Sequence, residues 1–448
     1  MYGPKYSPGS EPNVLQTPDE ALWFTIALGT ALTACALFRQ LNPKTRAWLF
    51  CFGQVVLLTA PLALVLSSGF YGDYPTTDKA GSLYYYLDGV HERFLFEPVK
   101  SLNDCAVQLI GVHMGHLWVT AFFDLFLPPN GAFNIQALVY PALAWWSAAL
   151  LLHRIGGRWD NAIVLGFAYG LCLHVFRDLN WYTIEKAAIF ALPLYAYALL
   201  RAHEDGGKWV WLSGLFFFGA AFLNWYLALV AGAGACLAIA SSRSMALLKS
   251  LGYGLLFLSP LIVVQLLLMR NGDPGVPIEH DYANLQTLYL EERAALDSVS
   301  LTSMTWNRLE LLHALNPCAL ILILAGLFRG PLRGIEKNLL LIAAGLFAFS
   351  LGPYLFDGIK NPVYIAAWKI VPGFWRVAKP EVFFYGTWIC MLALAASRWR
   401  DVSLKWAYPI MLLLWVWLVR GHPAYPGFSV FEYSAPKLCN TTQTTNSR

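Results

Sequence analysis

Asp73, in the triplet Gly72-Asp73-Tyr74, opens the part of the chain richest in groups able to do chemistry, with Asp78, Asp88 and Glu92 following among tyrosines and other aromatic residues. The stretch from Ser67 to Asp104 is a polar interruption between long apolar runs. A carboxylate held against a low-dielectric wall has a raised pKa and can act as a general base, and the same oxygens suit a divalent cation. Asp73 leads the others because it stands at the anchored start of the loop, directly after an apolar run. The competing reading is a solvated loop whose acids follow the charge asymmetry of the chain.

Three further clusters carry ionisable groups. His113 and His116 are three apart, so a helix would put them on one face, but a metal needs at least one more ligand and histidines at a membrane interface are the simpler reading. HVFRDLNWYTIEK places His174, Arg177, Asp178, Glu185 and Lys186 around a span boundary, where such groups form ion-pair networks or line polar cavities. PGFWRVAKPEVFF sets Arg376 and Lys379 just ahead of an apolar run beginning at Glu381. There Arg would grip a phosphate bidentately and Lys as a point charge, or both would anchor to anionic headgroups. The sequence holds no Walker A loop, dinucleotide-binding glycine fingerprint or Gly-x-Ser-x-Gly elbow, so nucleotide-driven chemistry has no support.

These residues must be positioned by a chain of 448 residues that is 57% hydrophobic and 13% charged, where a soluble protein has about 25% charged. The composition predicts an all-α polytopic membrane protein of about twelve transmembrane helices. The expected spans are 21–38, 47–66, 132–152, 161–176, 183–200, 209–223, 225–241, 250–269, 316–328, 338–356, 381–397 and 405–420. The long run from Val210 to Ala240 is read as a helical hairpin with its tip at Asn224. Val107–Leu127 is apolar enough to mimic a span, but counting it would invert every later loop, so it is read as interfacial or re-entrant helices on the outer face.

Six short loops, RQLNPKTR, HRIGGRWD, RAHEDGGK, SSRSMALLKS, RGPLRGIEK and SRWRDVSLK, hold 15 of the 31 Lys and Arg. They contain five of the 27 acids, which leaves 22 elsewhere. The positive-inside rule makes these loops cytoplasmic and puts both termini and the outer loops 67–131, 270–315 and 357–380 on the opposite side. One transmembrane domain is expected over 21–420, between an outer N-terminal tail (1–20) and an outer C-terminal tail (421–448), with the N-terminal tail and the residues after Pro436 read as flexible. A cleaved signal peptide is not expected, because the first twenty residues lack a basic segment. Six of the eight cysteines fall in apolar runs, while Cys105 and Cys439 lie outside them and could pair in an oxidising compartment. No basic block suggests nucleic acid.

Leu351–Ala396, reading LGPYLFDGIKNPVYIAAWKIVPGFWRVAKPEVFFYGTWICMLALAA, resembles the closing part of YfhO-like bacterial membrane proteins and related integral-membrane GT-C glycosyltransferases. FNIQALVYPALAWWSAALLLHRIGG and RDLNWYTIEKAAIFALPLYAYALL resemble that group's middle helices. The likeness covers about residues 47 to 400. It implies a GT-C-like fold in the bacterial cytoplasmic membrane and transfer of a sugar from a polyprenyl-phosphate-linked donor to an acceptor outside the membrane. A catalytic acid in the first large outer loop would fall on Asp73. Arg376, Lys379, Arg177, Asp178 and Asp78 would bind substrate, and a divalent cation is the one cofactor the acids could hold. Asp178 stands where the group often has His, and Val-Ala-Lys-Pro-Glu replaces its more basic approach to the span. The first span looks like an addition ahead of the group's usual first helix. The alternative is a noncatalytic scaffold that binds lipid or docks into a larger membrane complex. A transporter is less favoured, since the span centres carry few polar groups.

Overall fold

The computed structural model describes residues 14–15, 19–38, 40–59, 70–71, 115–127, 131–132, 135–172, 175, 187–270, 315–352, 354–356, 359–370, 382–421 and 430–431. Within them the chain is almost entirely helical, with fourteen helices and five strands of only two or three residues. The helices are α1 (Asp19–Cys35), α2 (Pro43–Thr59), α3 (Gly115–Asp124), α4 (Gln136–Gly156), α5 (Trp159–Gly170), α6 (Ala191–Asp205) and α7 (Lys208–Leu223). They continue with α8 (Trp225–Ser242), α9 (Met245–Arg270), α10 (Pro317–Leu327), α11 (Gly334–Ser350), α12 (Pro362–Ile370), α13 (Phe383–Arg398) and α14 (Ala407–Gly421). Every apolar segment expected to span overlaps one of these helices at least in part.

Three of them are long and apolar enough to cross a membrane: Leu138–Gly156 in α4, Trp225–Ser242 (α8) and Met245–Val263 in α9. Others are apolar but shorter; α10, at 11 residues, rises about 16 Å, half a hydrocarbon core of about 30 Å.

Local chemistry sets the breaks. Asn224 sits between α7 and α8 in an extended conformation (φ −162°, ψ 125°), and its side chain accepts from the Tyr226 N–H as the N-cap of α8. The expected turn at this residue is thus a cap between two helices. Asn316 caps α10 by accepting from the Cys318 N–H, with Pro317 in the first turn, where its missing N–H costs nothing. After α11 the chain leaves the helix at Gly352 (φ 73°), ahead of Pro353. The span expected over 338–356 therefore ends early, and a hairpin of β3 (Tyr354–Phe356) and β4 (Ile359–Lys360) follows. Similarly, α5 stops at Gly170 and α6 starts at Ala191, short of the apolar runs that contain them.

The centre of the bundle is α4, which packs on α2, α5, α6 and α13. Close approach needs small residues: a Cβ on Gly170 would stand 2.4 Å from the backbone nitrogen of Trp145. Without water, the buried donors must find partners in the protein. Trp145 donates its ring N–H to the Ile163 carbonyl at 2.7 Å, Trp388 to Ala168 at 3.0 Å, and Trp415 to Leu171, beyond the end of α5, at 2.8 Å.

Helix α3, inside the segment read as interfacial, has ten residues and so rises about 15 Å, too short to cross. It lies against the end of α7, with Trp118 and Phe222 rings 6.5 Å apart. Gln136, at the start of α4, donates to Thr120 of α3 and accepts from the Tyr140 hydroxyl at 2.8 Å. A second small sheet joins distant parts of the chain: β5 (Val430–Phe431) pairs antiparallel with both β1 (Val14–Leu15) and β2 (Phe70–Tyr71), giving the order β1-β5-β2. The N-terminal tail, expected to be flexible, thus contributes one short strand, and the C-terminal tail contributes another ahead of the part after Pro436 that is read as flexible.

Candidate functional site

Asp73, Asp78, Arg177, Asp178, Arg376 and Lys379 all lie outside the described residues, as do His113, Asp88, Glu92 and the Cys105 and Cys439 pair. What is described is the framework beside them. Strand β2 ends at Tyr71, two residues before Asp73, with its backbone paired to β5. The segment with Arg376 and Lys379 connects α12 to α13. Among the described residues no group of three or more His, Cys, Asp or Glu is placed to hold a metal ion.

The basic loops, in contrast, are seen in detail, and five of the six touch one another. Arg154, ending α4, donates through Nε and Nη2 to Glu204 of α6 at 2.9 and 2.5 Å. His203 Nδ1 meets Ser244 Oγ between α8 and α9 at 2.9 Å. Asp160 binds Arg158 and, across 243 residues, the Ser403 hydroxyl at 2.5 Å. Burial opposes the charge of Asp160, yet the hydrogen bonds from Arg158 and Ser403 and the Arg158 charge outweigh it and bring its pKa down from 3.8 to about 2.

Asn161, 1% exposed, donates to the carbonyls of Trp399 and Val402 and accepts from the Leu404 N–H, all at 2.8 Å. One carboxamide thus fixes the whole turn between α13 and α14 onto α5. Beside it, Arg398 and Glu336 form an ion pair of 3.1 Å whose side chains are 5% and 1% exposed. Arg398 also donates to the carbonyls of Gly326, Gly330 and Pro331, and Glu336 accepts from Ser397 and the Arg333 N–H. Burial opposes the Glu336 charge, but these bonds and the neighbouring guanidinium hold its pKa below 4.5. A buried pair so completely hydrogen-bonded tolerates the cost of desolvation. This cluster locks loops together and leaves no group free for chemistry.

The other described feature is a half-open cavity of about 420 Å³ lined by α4, α6, α8, α11 and α13 and by Leu247 of α9. It runs along α6 from Leu192 to Glu204, twelve residues or about 18 Å. Its walls are apolar, built from side chains such as Leu199, Val230, Leu346 and Ile389. Polar side chains gather at the basic-loop end: His203, Glu204, Ser241, Ser242 and Asn338. Tyr195 belongs to the wall, is 3% exposed, and its hydroxyl has no hydrogen-bond partner among the described residues.

Sequence reasoning missed this cavity. Its faint signal is the run Ala231-Gly232-Ala233-Gly234-Ala235 in α8, which leaves space that larger side chains would fill. The chain matches no known protein-family model, and a search of curated proteins returns no similar sequence.

Proposed function

We propose that the chain is a GT-C-type membrane glycosyltransferase of the bacterial cytoplasmic membrane, transferring a sugar from a polyprenyl-phosphate-linked donor to an acceptor on the outer face. Asp73 acts as base on the acceptor hydroxyl or as ligand to a divalent cation. Arg376 and Lys379 hold the donor phosphate, and Arg177, Asp178 and Asp78 complete the substrate contacts. At a low-dielectric membrane face such charge contacts gain strength. About twelve apolar segments lie in the membrane, the shorter ones reaching only part of the way across, and both termini lie outside with the acid-rich loops.

The observation that carries this reading is β2. A catalytic acid needs a fixed position, and the backbone two residues ahead of Asp73 is paired to β5, which also holds β1. The mutual contact of the basic loops supports the same orientation, since loops that share one face leave the intervening loops for the other. The likeness of Leu351–Ala396 to GT-C proteins supplies the reaction class.

The test incubates purified protein with labelled polyprenyl-phosphate sugars and candidate acceptors. Loss of the general base in Asp73→Asn is expected to lower transfer about 100-fold or more. Equal transfer by both proteins removes Asp73 from the mechanism.

A second reading, a noncatalytic lipid-binding or structural subunit of a membrane complex, is favoured by a different observation. The described polar clusters are spent on one another, as Arg398 and Glu336 illustrate. Absence of transfer with every donor would leave this reading in place.

A further inference from the structure

We infer that the cavity between α4, α6, α8, α11 and α13 binds one single-chain lipid with an uncharged, hydroxyl-bearing head, its chain along α6 and its head among Ser241, Ser242 and Asn338. The inference does not depend on Asp73 being catalytic.

Size limits the occupant to one chain. The cavity's 420 Å³ corresponds to about 14 water-sized volumes of about 30 Å³ each. A methylene is of similar size, so about 14 carbons of one chain fill the space, the head and the rest of the chain lie at its open side, and no room is left inside for the second chain of a phospholipid. The volume also falls within the range of about 300–1,000 Å³ typical of ligand sites.

Composition selects the chain. Leu192, Leu199, Val230, Leu346 and Ile389 offer water no partners, so this wall favours an apolar chain over water.

The rim selects the head. Ser241, Ser242, Asn338 and His203 are hydrogen-bonding groups without a fixed cation among them. Glu204 is the charged residue that lines the cavity, and Arg154 already occupies its carboxylate. A phosphate would meet a carboxylate there and no lining Lys or Arg, whereas a hydroxyl can donate to Ser or Asn oxygens and accept from His203 or the Asn338 amide. Long-chain alcohols and monoacylglycerols share this chemistry.

Gly234 offers a test. A Cβ there meets only Leu346 Cδ1, at an ordinary 3.9 Å, so Gly234→Leu fills the cavity without displacing backbone. Full-length protein in detergent would be titrated with monoolein, oleyl alcohol, lysophosphatidic acid and a two-chain phosphatidylcholine, with bound stoichiometry read by native mass spectrometry and thermal midpoint by scanning fluorimetry.

One equivalent of monoolein or oleyl alcohol is expected, raising the midpoint, with affinity at least tenfold above the other two lipids. Gly234→Leu is expected to fold and to lose at least tenfold in affinity. The double variant Ser241→Ala/Ser242→Ala, which keeps the cavity open, is expected to weaken monoolein severalfold and to carry the test should the leucine variant not fold. Binding unchanged in both variants, or a preference for lysophosphatidic acid or phosphatidylcholine, overturns the proposal.

Discussion

Asp160 and Asn161 stand side by side at the start of α5, and both reach the turn between α13 and α14, about 240 residues later in the chain. Asp160 also ties stability to pH. Its pKa falls from 3.8 to about 2 on folding, so its contribution is fully present above the unfolded value and disappears as the pH drops through the folded one. The shift corresponds to about 2 kcal/mol. Thermal unfolding in detergent from pH 6 to pH 2 is expected to show Asp160→Asn less stable at neutral pH by that amount. The two proteins converge as the pH falls below about 4. A constant gap across the series would show that the carboxylate contributes through packing alone. None of this was legible in the sequence, where Asp160 is one acid in a basic loop and nothing names Ser403 as its partner.

At the scale of elements, the helices were the most legible part, because an apolar run without charges has few alternatives to a helix. The break at Asn224 is an example: a single polar residue in a long apolar run marks the cap between α7 and α8. Helix ends were less legible, since apolar composition continues past the points where Gly170 and Gly352 end their helices. The docking of α3 was out of reach, because Gly115 looks like any other glycine until its neighbour is known. A Cβ on Gly115 would stand 1.7 Å from the Phe222 carbonyl oxygen, whereas one on Gly219, within the last two turns of α7, meets nothing within 4 Å. Gly115→Val is therefore expected to cost about 1–3 kcal/mol or more through overpacking, and Gly219→Val a small fraction of that. Thermal midpoints of the two variants measured together check the contrast; equal losses would mean that α3 does not rest on α7.

Over the whole molecule, charge asymmetry in the loops was readable and the interior was not. The positive-inside pattern grouped loops that are found touching, because charge near the membrane is a property of each loop by itself. The cavity depends on how five helices face one another, and no local pattern encodes that. The candidate acid was chosen by its position after an apolar run, and the residues around it lie outside what the structure describes. The sheet that leads to it is a property of the whole chain. Deleting Val430–Phe431 is expected to free β1 and β2 together and to raise the hydrogen-exchange rate of the Phe70 and Tyr71 amides that pair with β5, with the helices unchanged. Exchange unaltered at both residues would show that the sheet does not hold the loop.

The order β1-β5-β2 has a temporal consequence. The middle strand is the last of the three to be synthesised, so the two outer ones have no partner while the helices between them are being made and inserted. The segment ahead of Asp73 gains its backbone pairing only after α14 has emerged. A nascent or truncated chain would carry its helices without this clasp, and whatever chemistry follows Tyr71 would be withheld until synthesis had passed Phe431.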